Sequence, residues 1–311
     1  MNRSGIGVVI ATRNRARSLR TTLHELTSLP ETPEIVVVDN ASDDDTRTMV
    51  ETLFPRVRLL RLPANQGALA RTQGVRLLDT PVVAFSDDDS WWAPGALHRA
   101  ERLMRDHPRL GLIAARTLVG KDNRPDPINT ALAGSPLLRR TDLPGPSVLG
   151  FLCCAAVVRR DAFLDVDGFH PLLFFGGEES LLAYDLAAHG WGVAHCPDVV
   201  AHHHPAPSQR TGREAALLRN MLLTAWLRRP LPVALRHTLS TAVAAREDRT
   251  ARRALRATLA RLPAALARRR LLPADVEADI RLLESAHAPA TPVPTAPPPD
   301  GPVTGVAGHD R

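Results

Sequence analysis

Val82-Val83-Ala84-Phe85-Ser86-Asp87-Asp88-Asp89 joins a short apolar run to three consecutive carboxylates. An apolar run of this length bounded by polar residues reads as a buried strand. The same design stands earlier in the chain, where Ile35-Val36-Val37-Val38 ends on Asp39-Asn40-Ala41-Ser42-Asp43-Asp44. Strands that are apolar on both faces belong to parallel sheets covered by helices. Ligands of open α/β sheets bind outside the carboxyl ends of such strands. Carboxylates gathered at that edge are costly to desolvate unless they meet a cation or the polar groups of a ligand. The two runs therefore predict a sheet edge that holds a metal and a nucleotide.

Outward from these runs, strand and helix alternate. Gly7–Ala11 reads as a strand, followed by the polar turn Thr12-Arg13-Asn14-Arg15 and a helix from about Ser18, its N-cap, to Leu29. Thr46–Leu53 reads as a short helix and Val57–Leu62 as a third strand. Asn65 can cap a helix running through Leu78, with Gly67 and Gly74 on one face. Pro94 suits the first turn of a helix to about Asp106, and Leu110–Ala115 reads as a fifth strand. This alternation predicts a doubly wound parallel α/β sheet. Residues 121–147, rich in Pro, Asp and Gly, read as a loop able to order over a ligand. Phe151–Val158 reads as another buried strand and Asp161–Val166 as a short helix. A loop through Phe174-Phe175-Gly176-Gly177 leads into a helix from about Glu178 to His189, and Gly192–Cys196 and Val199–His202 read as closing strands. From about Arg213 to Ala286 the chain reads as Arg/Ala-rich helices broken at Pro230, Pro232, Pro263 and Pro273. Residues 287–311, Pro/Ala/Thr/Gly-rich, read as disordered.

The 311 residues, 44% of them hydrophobic, are enough for a sizeable core. No run approaches the roughly 18 apolar residues of a membrane span, and Met1-Asn2-Arg3-Ser4 leads into strand-like sequence without a signal-peptide pattern. Cys153 and Cys154 are adjacent in an apolar run, and the three cysteines offer neither a disulfide framework nor metal-knuckle spacing. A reduced, cytoplasmic protein is expected. The formal charge of +6 is uneven, because residues 210–285 hold sixteen arginines against seven acids. Trp226 is the one aromatic residue in that stretch, so base-stacking platforms are absent and nucleic acid is not an expected partner. A solvated helix face is expected there, with peripheral contact at the inner face of a membrane as the alternative.

Four groups of residues carry candidate chemistry. Asp87-Asp88-Asp89 can coordinate Mg²⁺ or Mn²⁺, or form an acidic turn before Pro94. Asp39 offers an acceptor to a base or ribose, whereas Ser42 to Asp44 also fit an Asx-turn and helix cap. Glu178 and Glu179, at the start of a helix, suit a general base that activates a hydroxyl, although the helix dipole alone favours acids there. In His202-His203-His204 alternate residues share a face, so His202 and His204 can point together at a metal; a polar turn before Pro205 is the alternative. Trp91-Trp92 can wall a sugar or base, or pack a helix.

In order, Val8-Val9-Ile10-Ala11-Thr12-Arg13-Asn14-Arg15, Ile35 to Asp44, Asn65-Gln66-Gly67-Ala68-Leu69-Ala70-Arg71, Phe85-Ser86-Asp87-Asp88-Asp89, Gly176-Gly177-Glu178-Glu179 and the histidines resemble the family 2 glycosyltransferases over roughly residues 6–204. The resemblance implies the GT-A fold, a doubly wound, Rossmann-like mixed sheet. Its domain would span residues 1–209, with a donor half to about 116 and an acceptor half over 117–209. A helical extension (210–286) and the tail (287–311) would follow. The resemblance implies an inverting, metal-dependent transfer of one sugar from a nucleotide-diphosphate sugar to the hydroxyl of an unknown acceptor, in cell-surface or secondary-metabolite glycosylation. Thr12, Arg13, Asn14, Arg15, Asp39, Asn65, Gly67, Arg71, Asp87 and Asp88 would bind the donor. Asp89, with Asp87 and His202 or His204, would hold Mg²⁺ or Mn²⁺. Glu179, or else Glu178, would be the base, and Arg219-Asn220 resembles an Arg-Asn pair frequent in the following helix. Three positions depart from the pattern: Thr72 stands where Asn is frequent, Glu179 where Asp is commoner, and Leu181 where many members carry another Asp, a change expected to bear on acceptor recognition. No Gln-x-x-Arg-Trp signature of processive synthases is present, which favours single addition. The alternatives are a nucleotidyltransferase acting on a sugar phosphate, and a catalytically silent module for sugar nucleotides or anionic surfaces.

Overall fold

The computed structural model describes residues 5–205 and 212–287, so the tail expected to be disordered lies outside the described residues from 288 onward. The N-terminal part runs β1 (Ile6–Thr12), α1 (Ala16–Thr27), β2 (Glu34–Asp39), α2 (Thr46–Leu53), β3 (Arg58–Arg61), α3 (Leu69–Leu77), β4 (Val82–Ser86), β5 (Ser90–Trp92) and α4 (Ala96–Asp106). It continues into β6 (Leu110–Val119), β7 (Arg124–Pro125), α5 (Pro127–Ala133), β8 (Ala156–Arg159), α6 (Arg160–Asp165), α7 (Glu178–Ala188) and β9 (Gly192–His203). Five helices follow: α8 (Arg213–Arg228), α9 (Leu231–Ala244), α10 (Arg249–Leu259), α11 (Leu262–Ala267) and α12 (Ala274–His287).

The strands form one sheet in the order β3-β2-β1-β4-β8-β6-β9-β5, with β7 on β6. The parallel expectation holds for β1 to β4. It fails beyond them: β8 is antiparallel to both β4 and β6, and β5 is antiparallel to β9, so the sheet is mixed. Successive side chains alternate between faces. Val8, Ile10 and Val37 pack with Leu19, Leu23 and Leu97 on one side, and Val9, Val36 and Val38 with Val75 and Leu78 on the other. Each such side chain contributes about 1.5–3 kcal/mol when fully buried. Gly74 is fixed by this packing, since a Cβ there would lie 2.5 Å from Val9 Cγ1. Its absence lets α3 settle directly onto β1 and β2.

Several elements differ from expectation. Within Phe151–Val158, Cys153–Ala155 form a 3₁₀ turn and only β8 is strand; an unbroken apolar run has no period that separates a strand from a buried turn. The two closing strands are one long β9, whose Pro197-Asp198 kink is absorbed by a register shift between Ala115 and Arg116 of β6. Residues 121–147 contain β7 and α5, the latter capped by Asp126. Asn65 caps its own turn, accepting from Gly67 N (3.0 Å), whereas Ala68 N at the start of α3 donates to the carbonyl of Phe174 (2.6 Å).

The C-terminal helices are welded to the sheet domain. Leu223 and Leu227 of α8 pack with Leu173 and Leu181, so Leu181 is a core residue here, 1% exposed. Beside them Arg228 donates from Nη2 to Asp185 Oδ2 (2.9 Å), both side chains buried. Arg228→Ala leaves the Asp185 carboxylate buried without its partner. It is expected to lower stability by about 3–5 kcal/mol, read as a lower urea midpoint, while the double change Arg228→Met with Asp185→Leu recovers most of the loss.

Candidate active site

Three strand ends, one helix and one loop meet in a cleft of about 420 Å³. From β1 and its turn come Thr12, Arg13 and Arg15; β2 contributes Asn40; the end of β4 contributes Asp87, Asp88 and Asp89. Asn65, Gly67 and Arg71 line it from the α3 side, and Phe174 and Phe175 close the wall before α7.

Each carboxylate of the triplet has its own partner. Asp87 pairs with the buried Arg71, and its backbone N–H donates to Ser90 Oγ (2.7 Å). Asp88 accepts from Thr12 Oγ1 (3.0 Å) and Arg15 Nε (3.1 Å). Asp89 accepts from Arg15 Nη2 (2.8 Å) and lies 3.4 Å from His203 Nε2. Burial pushes Asp88 up to about 6, with Arg15 opposing and the charges of Asp89 and Asp87 reinforcing the shift. The floor of the cleft is thus a lattice of alternating charges, supplied by residues far apart in the chain.

The second acidic segment is organised differently. Asp39 is fully buried, its Oδ1 accepts from Ser42 N (2.9 Å), and its Oδ2 has no hydrogen-bond partner among the described residues. It is not part of the cleft lining, although its neighbour Asn40 is. Asn40 receives Gln66 N on Oδ1 (2.7 Å) and donates from Nδ2 to Gly67 O (3.0 Å), fixing the approach to α3. Asn14 is turned away from the cleft: its N–H donates to Ser42 Oγ (3.0 Å) and its Oδ1 accepts from Asp43 N (2.7 Å), bracing the first turn against the second.

Glu178 and Glu179 occupy the first turn of α7. Glu178 is 3% exposed, and its Oε2 lacks a hydrogen-bond partner among the described residues. Burial pushes its carboxyl up to about 7, Glu179 adding to the shift and Arg71 opposing it. Glu179 is half-buried and is also raised, first by burial, with Arg71 opposing and Asp87 reinforcing. Neither acid lines the 420 Å³ cleft. The loop that carries them is held from α8. Asn220, fully buried, donates from Nδ2 to the carbonyls of Leu173 (2.8 Å), Phe175 (3.1 Å) and Gly176, and Arg219 donates to Leu173 O (2.8 Å). Gly176 and Gly177 adopt φ of 90° and 81°, a left-handed region open to glycine at little cost.

The histidines take the opposite parity from the one expected. His202 and His204 do share a face, but that face meets Trp91, at ring separations of 6.0 and 4.5 Å, and His202 Nδ1 lies 2.8 Å from Asn123 Oδ1. Pairing of β5 with β9 sets Trp91 against His202 and leaves His203 to face Asp89. Burial disfavours the His203 imidazolium, but Asp89 outweighs it and the pKa is raised. Among the described residues no three His, Cys, Asp or Glu side chains close a metal cage. Asp89 and His203 nevertheless form an oxygen–nitrogen donor pair suited to a divalent cation that takes its other ligands from water and phosphate. His203 and the function of Asn220 are the parts of the site that periodicity in the sequence did not single out, whereas Phe174 and Phe175 beside the acid pair already pointed to a shaped pocket.

Comparison with known proteins places this geometry. The family model described as glycosyl transferase family 2 matches residues 7–166, about half of the chain. The succinoglycan biosynthesis protein ExoU of Rhizobium meliloti (strain 1021) is 27% identical over 94 residues, a match spanning 29% of this chain and 28% of that protein. S. aureus TarS 1–349, solved with UDP-GlcNAc, superposes with a TM-score of 0.56 at 17% identity, covering 82% of this chain and 71% of that one. The mannosyltransferase PcManGT of Pyrobaculum calidifontis, solved with GDP-Man and Mn²⁺, gives 0.55 at 21% identity, covering 94% and 78%. At these identities the solved structures establish the fold, which is GT-A.

The acid pair has a measurable consequence for stability. A carboxyl at about 7 in the fold, against 4.5 ordinarily, is held neutral by burial. Its contribution to stability is complete below about pH 4.5 and is lost as pH rises through about 7. Glu178→Gln is expected to raise Tm at pH 8 and to flatten the decline in Tm between about pH 5 and 8. Thermal melts across that range read the effect, and an unchanged slope would assign the pH dependence to other groups.

Proposed function

The chain belongs to glycosyl transferase family 2, and on that premise we propose that it moves one sugar from a nucleoside-diphosphate sugar to an acceptor hydroxyl, with inversion and with the help of a divalent cation. The observation that carries this reading is the convergence of Asp87, Asp88 and Asp89 with Arg15 and Arg71 on the floor of the cleft. Fixed cations and carboxylates so interleaved suit a ligand that brings both negative oxygens and a metal. Further support comes from the nucleotide sugars in TarS and PcManGT and from the Mn²⁺ in the latter. Family membership leaves the nucleotidyltransferase alternative without support.

Arg15 and Arg71 would face the diphosphate, where cations oriented before the reaction stabilise the charge that develops as the sugar departs. Asp39, whose Oδ2 has Arg61 Nε at 3.8 Å but no hydrogen bond among the described residues, suits an N–H or O–H donor of the nucleoside. A divalent cation held by Asp89 and His203 would supply Lewis-acid neutralisation of the leaving diphosphate. Glu179 takes the proton of the acceptor hydroxyl. The freed oxygen forms its bond to the anomeric carbon on one face, while the bond to the diphosphate oxygen breaks on the other. Glu179 is preferred to Glu178 because it is the less buried of the two, and an acceptor must reach the carboxylate. Burial raises the pKa of Glu179, the direction that general-base catalysis requires of a carboxylate.

Glu179→Gln is expected to reduce sugar transfer by roughly 10²–10⁴-fold while the donor still raises the melting temperature. Transfer retained in Glu179→Gln but lost in Glu178→Gln would exchange the two roles. Chelation with EDTA is expected to abolish transfer and added Mn²⁺ or Mg²⁺ to restore it, and Asp89→Asn to remove that restoration. Full activity in EDTA would end the metal assignment.

A further inference from the structure

A second cavity, of about 510 Å³, lies between α7 and the C-terminal helices. Its wall is formed mainly by Tyr184 of α7 and by Leu217, Leu218, Met221 and Ala225 of α8. Leu217 and Met221 are 38% and 47% exposed and Leu218 is half-buried, whereas Leu222, Leu223, Trp226 and Leu227 of the same helix are buried. Two polar atoms in this lining, Thr224 Oγ1 and His237 Nε2, are buried and have no hydrogen-bond partner among the described residues. Tyr184, Thr224 and His237 add polar groups to an otherwise apolar lining, the usual make-up of a small-molecule site.

The lining carries one arginine against two acids, a net single negative charge. Arg229 donates from Nη2 to Glu284 Oε2 (3.1 Å), and Glu214, the remaining charged residue, is exposed. Burial lowers the pKa of His237, which leaves a neutral imidazole, and burial raises that of Tyr184, which leaves its phenol protonated. A largely hydrocarbon wall with a net negative charge and a few hydrogen-bonding groups rejects phosphate and accepts hydroxyl or ether groups. The donor cleft, with three carboxylates and three arginines in its lining, is the opposite kind of site.

The two cavities flank one loop. Phe174 and Phe175 line the cleft, whereas Gly177, which precedes the acid pair, lines the groove. Leu217 packs over Gly176 and Gly177, 3.2 and 3.8 Å from where their Cβ atoms would stand. We infer that the groove binds the body of the acceptor: an uncharged, largely apolar molecule that presents a hydroxyl toward the first turn of α7. This rests on Glu178 and Glu179 as the acids that activate the acceptor.

The test uses hexyl, octyl and decyl β-glucosides below their micelle concentrations, titrated calorimetrically into the full chain. These probes carry no nucleotide, so the measurement stands whether or not a nucleotide sugar binds the cleft. Affinity is expected to rise roughly two- to fourfold for each added methylene. Ser180→Trp fills the groove and Met221→Glu places a charge in it; each is expected to weaken binding at least about tenfold. Met221 is half exposed, so its variant is expected to fold. Affinity independent of chain length, binding unchanged in both variants, or a dimer that Met221→Glu dissociates would each overturn the proposal. Chain-length-dependent binding with no transfer to any glucoside, in an enzyme that turns over its donor, would overturn the acceptor assignment alone.

Discussion

Three consecutive carboxylates cannot share a partly dry strand end unless cations are brought to them, and much of this fold serves that constraint. Asp87, Asp88 and Asp89 follow β4, which is hydrogen-bonded to β1, and that neighbour relation delivers Thr12 and Arg15 to Asp88 and Asp89. Asp87 is met from the other side by Arg71, whose helix reaches the sheet because Gly74 has no side chain to hold it away. Like charges in contact raise each other's pKa and opposite charges lower it. Both influences act on Asp88 on top of burial, and the result, about 6, places it where a small change in surroundings alters its charge. A metal or a diphosphate entering the cleft is such a change.

The same logic extends to the helices after the sheet domain. Asn220 has its side-chain amide against three consecutive-region carbonyls, of Leu173, Phe175 and Gly176. Without it the loop would lose three hydrogen bonds at once, although the Leu173 carbonyl would keep Arg219 as a donor, and a lost buried hydrogen bond costs roughly 1–3 kcal/mol. The loop so held does three things. It caps α3 through the Phe174 carbonyl, walls the cleft through two phenylalanines, and starts α7 at the acid pair. The buried pair of Arg228 with Asp185 then fixes α8 against α7. The helical extension is therefore part of the machinery that positions the acids, and a change in α8 is felt at the cleft through the loop.

What the sequence disclosed follows from the range of the interactions involved. β1, β2 and β4 are apolar runs ending in polar turns, and periodicity places them to within a residue or two. The acidic triplet and the acid pair were legible because charged residues at strand and helix ends are chemically conspicuous. The parity of the histidines was not. Alternation allows His203 alone or His202 with His204 to face inward, and the choice depends on β5, a three-residue edge strand whose Trp91 has no local signature. The mixed sheet came from the family resemblance and not from the alternation of elements, since the direction of β8 is set by a long excursion through residues 120–155 and not by its own composition. Leu181 illustrates the converse: a substitution that looked like a change at the acceptor site is a core contact with α8.

Buried polar atoms without partners point in the same direction. In the N-terminal part and acid pair they include Asp39 Oδ2, Arg71 Nε and Glu178 Oε2, and in the second groove Thr224 Oγ1 and His237 Nε2. Each destabilises the empty protein by an amount comparable to a lost hydrogen bond. Glu31, Ser86, Trp92 and Thr117 carry such atoms away from either lining, so an unbonded atom alone does not mark a site, whereas those of Arg71, Thr224 and His237 belong to residues that line one. A folding optimum would bond these atoms within the chain, as it does for Asn40, Asn129 and Asn220. The two linings differ in chemistry, one with three carboxylates and three arginines and the other mainly apolar, and they stand on either side of one loop.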